Sequence, residues 1–498
     1  MAVSVARQTE EVITLTAQEI CRACAGQLLA GAGDTPIRRV STDTRVSLKD
    51  SLFVALKGEH FDGNRFAGEA LRKGAVGTVA ESGAARRLAE AAPGPDQMAA
   101  ASQPVVIAVP DTLEALAQVA ALARGRSRAR VVGITGSAGK TSTKDILTCL
   151  LEPQVKVIAS RASFNNEVGV PLTLLEINAG TQVAVVEMGM QSRGEVGALC
   201  RVAAPDIAVI TNIGPAHLEY AGSLENIARG KAEIARRLPP GGGLVTPYGE
   251  RLLEPLLEDL DVRQLTFGFD PGADIHQAGP VRQQDGRLCA TFSCGGEEVD
   301  ICFNFNARHQ LLNAMAAIGA CMLLELPLAG VAAAAGNIRL PAMRGEILPL
   351  AGGGILINDC YNANPMSMNA ALEHLTAAAG DRRRVAVLGE MAELGDRSGQ
   401  LHRQVGAAAA ALGIDLIVAV GGRANGFIEG ARAAGAREEP VYFSSREAAI
   451  RLGLTDLIRP GDAVLVKGSR FMGLEKVSDL LAGGSGGGGE TGGRRKSR

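Results

Sequence analysis

The clearest chemistry in this chain sits on a lysine and a threonine that follow glycines at 133, 136 and 139. The stretch reads Val131-Val-Gly-Ile-Thr-Gly-Ser-Ala-Gly-Lys-Thr-Ser142. A β-branched apolar run, a glycine-punctuated turn and a helix start present backbone N–H groups to a phosphate, and the positive end of the helix dipole adds to the attraction. Thr135, Gly136, Ser137, Ala138 and Gly139 would form the cradle. Lys140 would reach the β- and γ-phosphates of ATP, and the Thr141 hydroxyl would ligate Mg²⁺. The strict G-x-x-x-x-G-K-[ST] spacing is not met, because Ile134 stands where the first glycine belongs.

Ligands of open α/β sheets gather at the carboxyl ends of strands. Glu187-Met-Gly-Met190 follows the apolar run Val183–Val186, and Thr211-Asn-Ile-Gly-Pro-Ala-His217 follows Asp206–Ile210. A carboxylate and an imidazole at neighbouring strand ends, beside a phosphate loop, suit a divalent-metal shell around ATP. Ser223 to Ile234 has amphipathic helical spacing and carries Lys231, which spacing alone assigns to solvent.

The elements that must position these groups form an α/β chain. At 498 residues it is too long for one core, and three units are expected. Residues 1–110 hold strand candidates at Ile37–Arg45, Ser51–Lys57, Val76–Ala80 and Val105–Val109. Residues 111–338 carry the phosphate loop and alternate strands (Val131–Ile134, Val183–Val186, Asp206–Ile210, Gly243–Thr246) with helical segments, then change to a β-meander near 281–305 and a helix over His309–Leu324. Residues 339–482 repeat the theme with Ile355–Ile357, Val385–Leu388, Leu416–Val420 and Ala463–Val466. The expected architecture is a central P-loop-type parallel sheet with helices on both faces, a Rossmann-like C-terminal α/β domain and a smaller N-terminal α/β domain. Residues 483–498, glycine-rich and ending in basic residues, should be a disordered tail.

Composition excludes several classes. A net charge of −2 without a basic stripe argues against nucleic acid, and 3% aromatics with no Trp leaves no platform for stacked bases. No apolar run is long enough to span a membrane, and the first residues lack a basic-then-apolar signal pattern. The nine cysteines are scattered, with Cys21-x-x-Cys24 lacking a second pair at zinc spacing, and are expected to be reduced thiols in a cytoplasmic protein.

Thr135–Thr141, Asn165-Asn-Glu-Val-Gly-Val-Pro171, Glu187-Met-Gly, Asn212-Ile-Gly-Pro-Ala-His217 and Lys231-Ala-Glu233 together resemble the ATP-dependent Mur ligases of peptidoglycan precursor synthesis. Asn358-Asp-Cys-Tyr-Asn-Ala-Asn-Pro365, Leu388-Gly-Glu-Met-Ala-Glu-Leu-Gly395 and Val466-Lys-Gly-Ser-Arg470 are similar to the branch that joins D-alanyl-D-alanine to UDP-N-acetylmuramoyl-tripeptide. In the first unit, Ser41–Arg45 and Leu56–Asn64 are also similar to that family.

The resemblance implies an acyl-phosphate ligase and assigns roles by matched position. Lys140 would stabilise the transferring phosphoryl group. Thr141, Glu187, His217 and Lys231, the last as a carbamate, would hold Mg²⁺. Asn313, Arg344 and Asp359 would contact ATP. Ser41, Thr42, Asp43 and Arg45 would face the nucleotide end of the UDP-sugar, and Asn165, Asn166, Tyr361, Asn362 and Asn364 would also bind substrate. A monomer without nucleic-acid partners or membrane insertion is implied. Two other readings remain open. A ligase adding the third amino acid carries, in its diaminopimelate-using members, an Asp-Asn-Pro-Arg signature, for which Asn364-Pro-Met366 is the closest stretch here. A phosphate-loop ATPase or kinase predicts an aspartate where Glu187 stands.

Overall fold

The structure, a computed structural model, describes residues 12–58, 61–91, 103–284 and 286–483. The expected tail lies outside these residues except for Gly483.

Each of the three domains is built on its own sheet. In the N-terminal sheet, Arg39–Ser41, Ser51–Val54, Gly77–Glu81 and Val105–Val109 run parallel, and Gln27–Ala30 adds an antiparallel edge. The strand running into a polar turn expected over Ile37–Arg45 is present, with its strand part split into Pro36–Ile37 and Arg39–Ser41 before the turn. Ser41 ends the ladder, and past it the Ser41, Asp43 and Arg45 side chains bond within the turn.

In the central sheet, seven strands run parallel in the order Val157–Ala159, Val183–Glu187, Arg130–Thr135, Ile207–Ile210, Gly242–Pro247, Val262–Gly268 and Ile275–Gln277. Arg130–Thr135, Val183–Glu187 and Ile207–Ile210 are adjacent and almost wholly buried, as continuous β-branched runs covered by helices on both faces should be. Their carboxyl ends therefore open side by side. Beyond them the sheet turns antiparallel through Arg287–Cys294 and Glu297–Phe303, the expected meander.

That meander corrects one expectation. Cys289 and Cys302 face each other across the antiparallel pair with Cα atoms 4.0 Å apart and form a disulfide. Strand register, invisible in linear spacing, brings them together. The other seven cysteines are free, and burial pushes the Cys24, Cys200, Cys321 and Cys360 thiols up to about 12.

The C-terminal sheet has the order Glu346–Pro349, Ile355–Asn358, Ala463–Lys467, Arg384–Gly389, Leu416–Val420 and Val441–Phe443, parallel except for its first strand. After Ile355–Asn358 the chain passes through Tyr361-Asn-Ala-Asn364 and enters the Pro365–Ala379 helix. Asn364 caps that helix by accepting from Ser367 N at 2.9 Å, and Pro365 occupies the first turn, where no N–H is needed. The cap aims this polar turn at the phosphate loop of the central domain, where Asn364 Nδ2 donates to the Ser137 carbonyl at 3.2 Å.

Candidate active site

The phosphate loop is shaped by what surrounds its glycines. Gly136 has φ 151° and Gly139 φ 78°. A Cβ on Gly136 would stand 1.8 Å from Thr211 Oγ1, and one on Gly139 would stand 2.2 Å from Asn313 Oδ1. Both positions thus require glycine for conformation and for space. The residues after Ile207–Ile210 brace the loop. Thr211 Oγ1 donates to the Ala138 carbonyl at 2.6 Å, Ala138 N donates to Asn212 Oδ1 at 2.8 Å, and Gly214 N donates to Ser137 Oγ at 2.9 Å. Lys140 opens the Lys140–Leu151 helix, and its Nζ donates to the Gly136 carbonyl at 2.8 Å. Desolvation holds the Lys140 ammonium below its ordinary range, against the pull of Glu187.

Loop and strand ends line one cavity of about 1070 Å³. The central domain contributes Ser137 to Ser142, Asn165, Asn166, Glu187, His217 and Asn313; the C-terminal domain contributes Arg344, Asp359, Tyr361, Asn362 and Asn364. Glu187 is 1% exposed. Its Oε1 accepts from Asn165 Nδ2 at 2.8 Å, while the buried Oε2 has no partner. A buried carboxylate oxygen left in this way, in a cavity that Thr141 also lines, suits a cation. Among the described residues no three His, Cys, Asp or Glu side chains form a ready-made metal cluster, so a complete shell would need other ligands.

Lys231 overturns the solvated reading. It lies on the Leu224–Ala232 helix capped by Ser223 and is 1% exposed. Burial, with the nearby Lys140 charge, drives its pKa well below the ordinary lysine range. Lys231 does not itself line the cavity. Ser41, Thr42, Asp43 and Arg45 do not line it either; Arg45 pairs with Asp43 at 2.7 Å on the N-terminal domain. Thr135 and Gly136 do not line the cavity either, and the Gly136 carbonyl is taken by Lys140 Nζ.

The C-terminal domain closes on the loop through short polar contacts. Arg344 Nη2 donates to Thr141 Oγ1 at 3.2 Å, and its guanidinium lies 4.0 Å from the Tyr361 ring centroid. The Tyr361 hydroxyl bonds Ser163 of the central domain. Asp359 Oδ2 accepts from Lys467 Nζ at 2.8 Å. Asn313 Nδ2 donates to Gln310 Oε1 at 2.8 Å, linking the two polar residues at the start of the Gln310–Leu323 helix. Lys467, Arg470, Ser163 and His309 also line the cavity although sequence reasoning gave them no role. Lys467 ends an apolar strand just as Glu187 does, so the strand-end rule extended to the third sheet would have found it.

Comparison with known proteins agrees with this arrangement. Residues 36–124 match the Mur ligase family catalytic domain, 134–321 the Mur ligase middle domain and 343–470 the Mur ligase glutamate ligase domain. The UDP-N-acetylmuramoyl-tripeptide–D-alanyl-D-alanine ligase of Bacillus subtilis is 34% identical over 449 residues, covering 90% of this chain and 94% of that protein. A crystal structure of MurF from Acinetobacter baumannii superposes with TM-score 0.82 at 28% identity, over 95% of this chain and 99% of that one. MurF ligase from Thermotoga maritima in complex with ADP gives TM-score 0.75 at 27% identity, over 90% and 98% of the two chains.

Proposed function

The chain belongs to the Mur ligase family, and on that premise we propose that it joins D-alanyl-D-alanine to UDP-N-acetylmuramoyl-tripeptide, with ATP converted to ADP and phosphate. The observation that carries this reading is the meeting of the phosphate loop with the Tyr361–Asn364 turn and Arg344 in one cavity. The phosphate loop lies in the central domain, and the polar turn that the C-terminal domain sets against it offers a third reactant a place beside the transferring phosphoryl group.

A peptide carboxylate is a poor electrophile until a phosphoryl group is placed on it. In this reading the tripeptide carboxylate attacks the γ-phosphorus of ATP, ADP leaves, and an acyl phosphate forms. Lys140 and Arg344 offset the charge that develops at the transferring group. The free amine of D-alanyl-D-alanine then adds to the acyl carbon, and the tetrahedral adduct expels phosphate. Contacts of the C-terminal domain with Ser137, Thr141 and Ser163 keep water from the acyl phosphate. Thr141, Glu187, His217 and a carbamylated Lys231 would hold Mg²⁺, which when bound neutralises phosphate charge. Burial lowers the Lys231 pKa, which favours the neutral amine that adds CO₂.

Asn313 and Asp359 are assigned to the nucleotide, Ser41, Thr42, Asp43 and Arg45 to the uridine end of the UDP-sugar, and Asn165, Asn166, Tyr361, Asn362 and Asn364 to the reacting substrates. We also propose a cytoplasmic, monomeric enzyme. Among the described residues no helix is long and apolar enough to cross a membrane. The test is phosphate release with D-alanyl-D-alanine, diaminopimelate, lysine or glutamate offered as amine donor. Release with the dipeptide alone supports this reading, and release with diaminopimelate or lysine alone replaces it with the ligase that adds the third residue.

A further inference from the structure

The cavity is lined by four lysine and arginine side chains, Lys140, Arg344, Lys467 and Arg470. Three are committed where they stand. Lys140 is held on the phosphate loop and Arg344 beside it on Thr141. Lys467 is 2% exposed and is consumed by Asp359 Oδ2 at 2.8 Å and the Asn362 carbonyl at 3.0 Å.

Arg470 differs. Its side chain is 55% exposed, and its carboxylate neighbour, Glu475, is 3.6 Å away, beyond a short charge-assisted bond. Its other contacts are the Met343 sulfur at 3.6 Å and the Tyr361 ring, whose centroid is 5.8 Å from the guanidinium carbon. The Arg470–Met472 turn that carries it follows the Ala463–Lys467 strand, at the ligand-binding end of the C-terminal sheet. Arg344 and Arg470 thus approach the same aromatic ring, and Arg344 alone bonds the phosphate loop.

A guanidinium with free donors in a cavity is matched to a carboxylate, which it grips with two parallel N–H bonds. The amine donor of the proposed reaction carries one such group, at the end opposite its reacting nitrogen. We propose that Arg470 binds the free C-terminal carboxylate of the amine donor, and so selects donors with an unblocked C-terminus and sets which end faces the acyl phosphate. This rests on the ligase reading above. Glu475 orients the guanidinium from the other side, and Tyr361 supports it by its face.

The experiment compares D-alanyl-D-alanine with D-alanyl-D-alaninamide as donor, using the full chain as wild type, Arg470→Lys and Arg470→Gln, with phosphate release and product mass as readouts. Wild type should favour the acid over the amide by about tenfold or more in kcat/KM, the effect of one charge-assisted bond pair. In Arg470→Gln the KM for the acid should rise by a similar factor, the KM values for ATP and the UDP-tripeptide should hardly move, and the acid-to-amide ratio should approach one. Arg470→Lys, which keeps the charge and loses the fork, should fall between. A wild type indifferent to amidation, or an Arg470→Gln variant with the wild-type ratio, overturns the proposal while leaving the ligase reading intact. A wild type that uses another amine donor and not the dipeptide overturns both.

Discussion

His217 of the central domain and Glu393 of the C-terminal domain share a hydrogen bond between Nδ1 and Oε2. Both residues hold left-handed backbone, with φ 56° and 60°, a conformation that is unusual for anything but glycine and clusters where function constrains the chain. Gln191 Nε2 approaches the other Glu393 oxygen at 3.4 Å, and Glu219 N donates to the Glu393 carbonyl at 3.1 Å. The imidazole holds the Glu393 carboxyl below its usual range. With Nδ1 committed, only Nε2 of His217 remains for a ligand, so the third domain sets the orientation of a central-domain imidazole.

Glu393→Gln should therefore act through His217. Losing a carboxylate that orients a metal-binding imidazole typically weakens metal affinity or activity about 10- to 100-fold. We expect the Mg²⁺ concentration for half-maximal phosphate release to rise about tenfold, with the ATP KM at saturating Mg²⁺ changed little. A Mg²⁺ titration superimposable on wild type would remove Glu393 from this role.

Lys140→Ala should abolish phosphate release that depends on D-alanyl-D-alanine. The side chain sits at the end of the loop that glycines 136 and 139 shape, and no other lysine occupies that position in the loop. Near-normal turnover in a stopped assay would sink the phosphate-loop assignment.

Lys231→Ala should also lose activity, and short-chain carboxylates such as formate or acetate should restore part of it by occupying the place of the carbamate. Equilibrium unfolding separates this from a packing defect, because rescue by added carboxylate should not change the unfolding midpoint. Full activity without rescue would make Lys231 an ordinary buried lysine.

Gly214 and Met366 meet between the central and C-terminal domains. A Cβ on Gly214 would stand 1.8 Å from the Met366 sulfur. Gly214→Ala should lower turnover severalfold by holding the domains apart, and Met366→Ala in the same chain should restore it by vacating the space. A double variant no better than Gly214→Ala would show that the clash is not what matters.

His374 should make stability fall in mild acid. It is buried, its Nε2 faces Asn306 Oδ1 at 3.1 Å, and its Nδ1 has no partner. Burial, with His309 adding to it, lowers its pKa from 6.5 to about 4. The unfolded chain takes this proton below about 6.5 and the folded chain resists it until about 4, so this stabilisation is full above 6.5 and is lost as pH falls across that window. The loss is about 3 kcal/mol at most, at 1.36 kcal/mol per pH unit. His374→Gln should flatten the wild-type decline in unfolding free energy between pH 6.5 and 4, and an unchanged slope would place the titration elsewhere.

The sequence by itself determined the α/β class, the phosphate loop and the strands beside it. Those features are local. Val183–Val186 reads as a buried strand because it is a short valine-rich run, and Gly139-Lys140-Thr141 reads as the turn into a helix from its residue types and order. Strand-end logic also brought Glu187 and His217 to the same rim. The tertiary structure alone decided the long-range relationships. Helical spacing sent Lys231 to solvent, but the helix packs that face inward and buries it. Nine cysteines looked equivalent until antiparallel register set Cys289 against Cys302. Arg344 on Thr141, Glu393 on His217 and Asn364 on Ser137 join residues more than 170 positions apart. No period or motif encodes such pairings. They follow from how three separately folded sheets dock, and docking depends on surface shape and charge summed over many residues rather than on any one stretch.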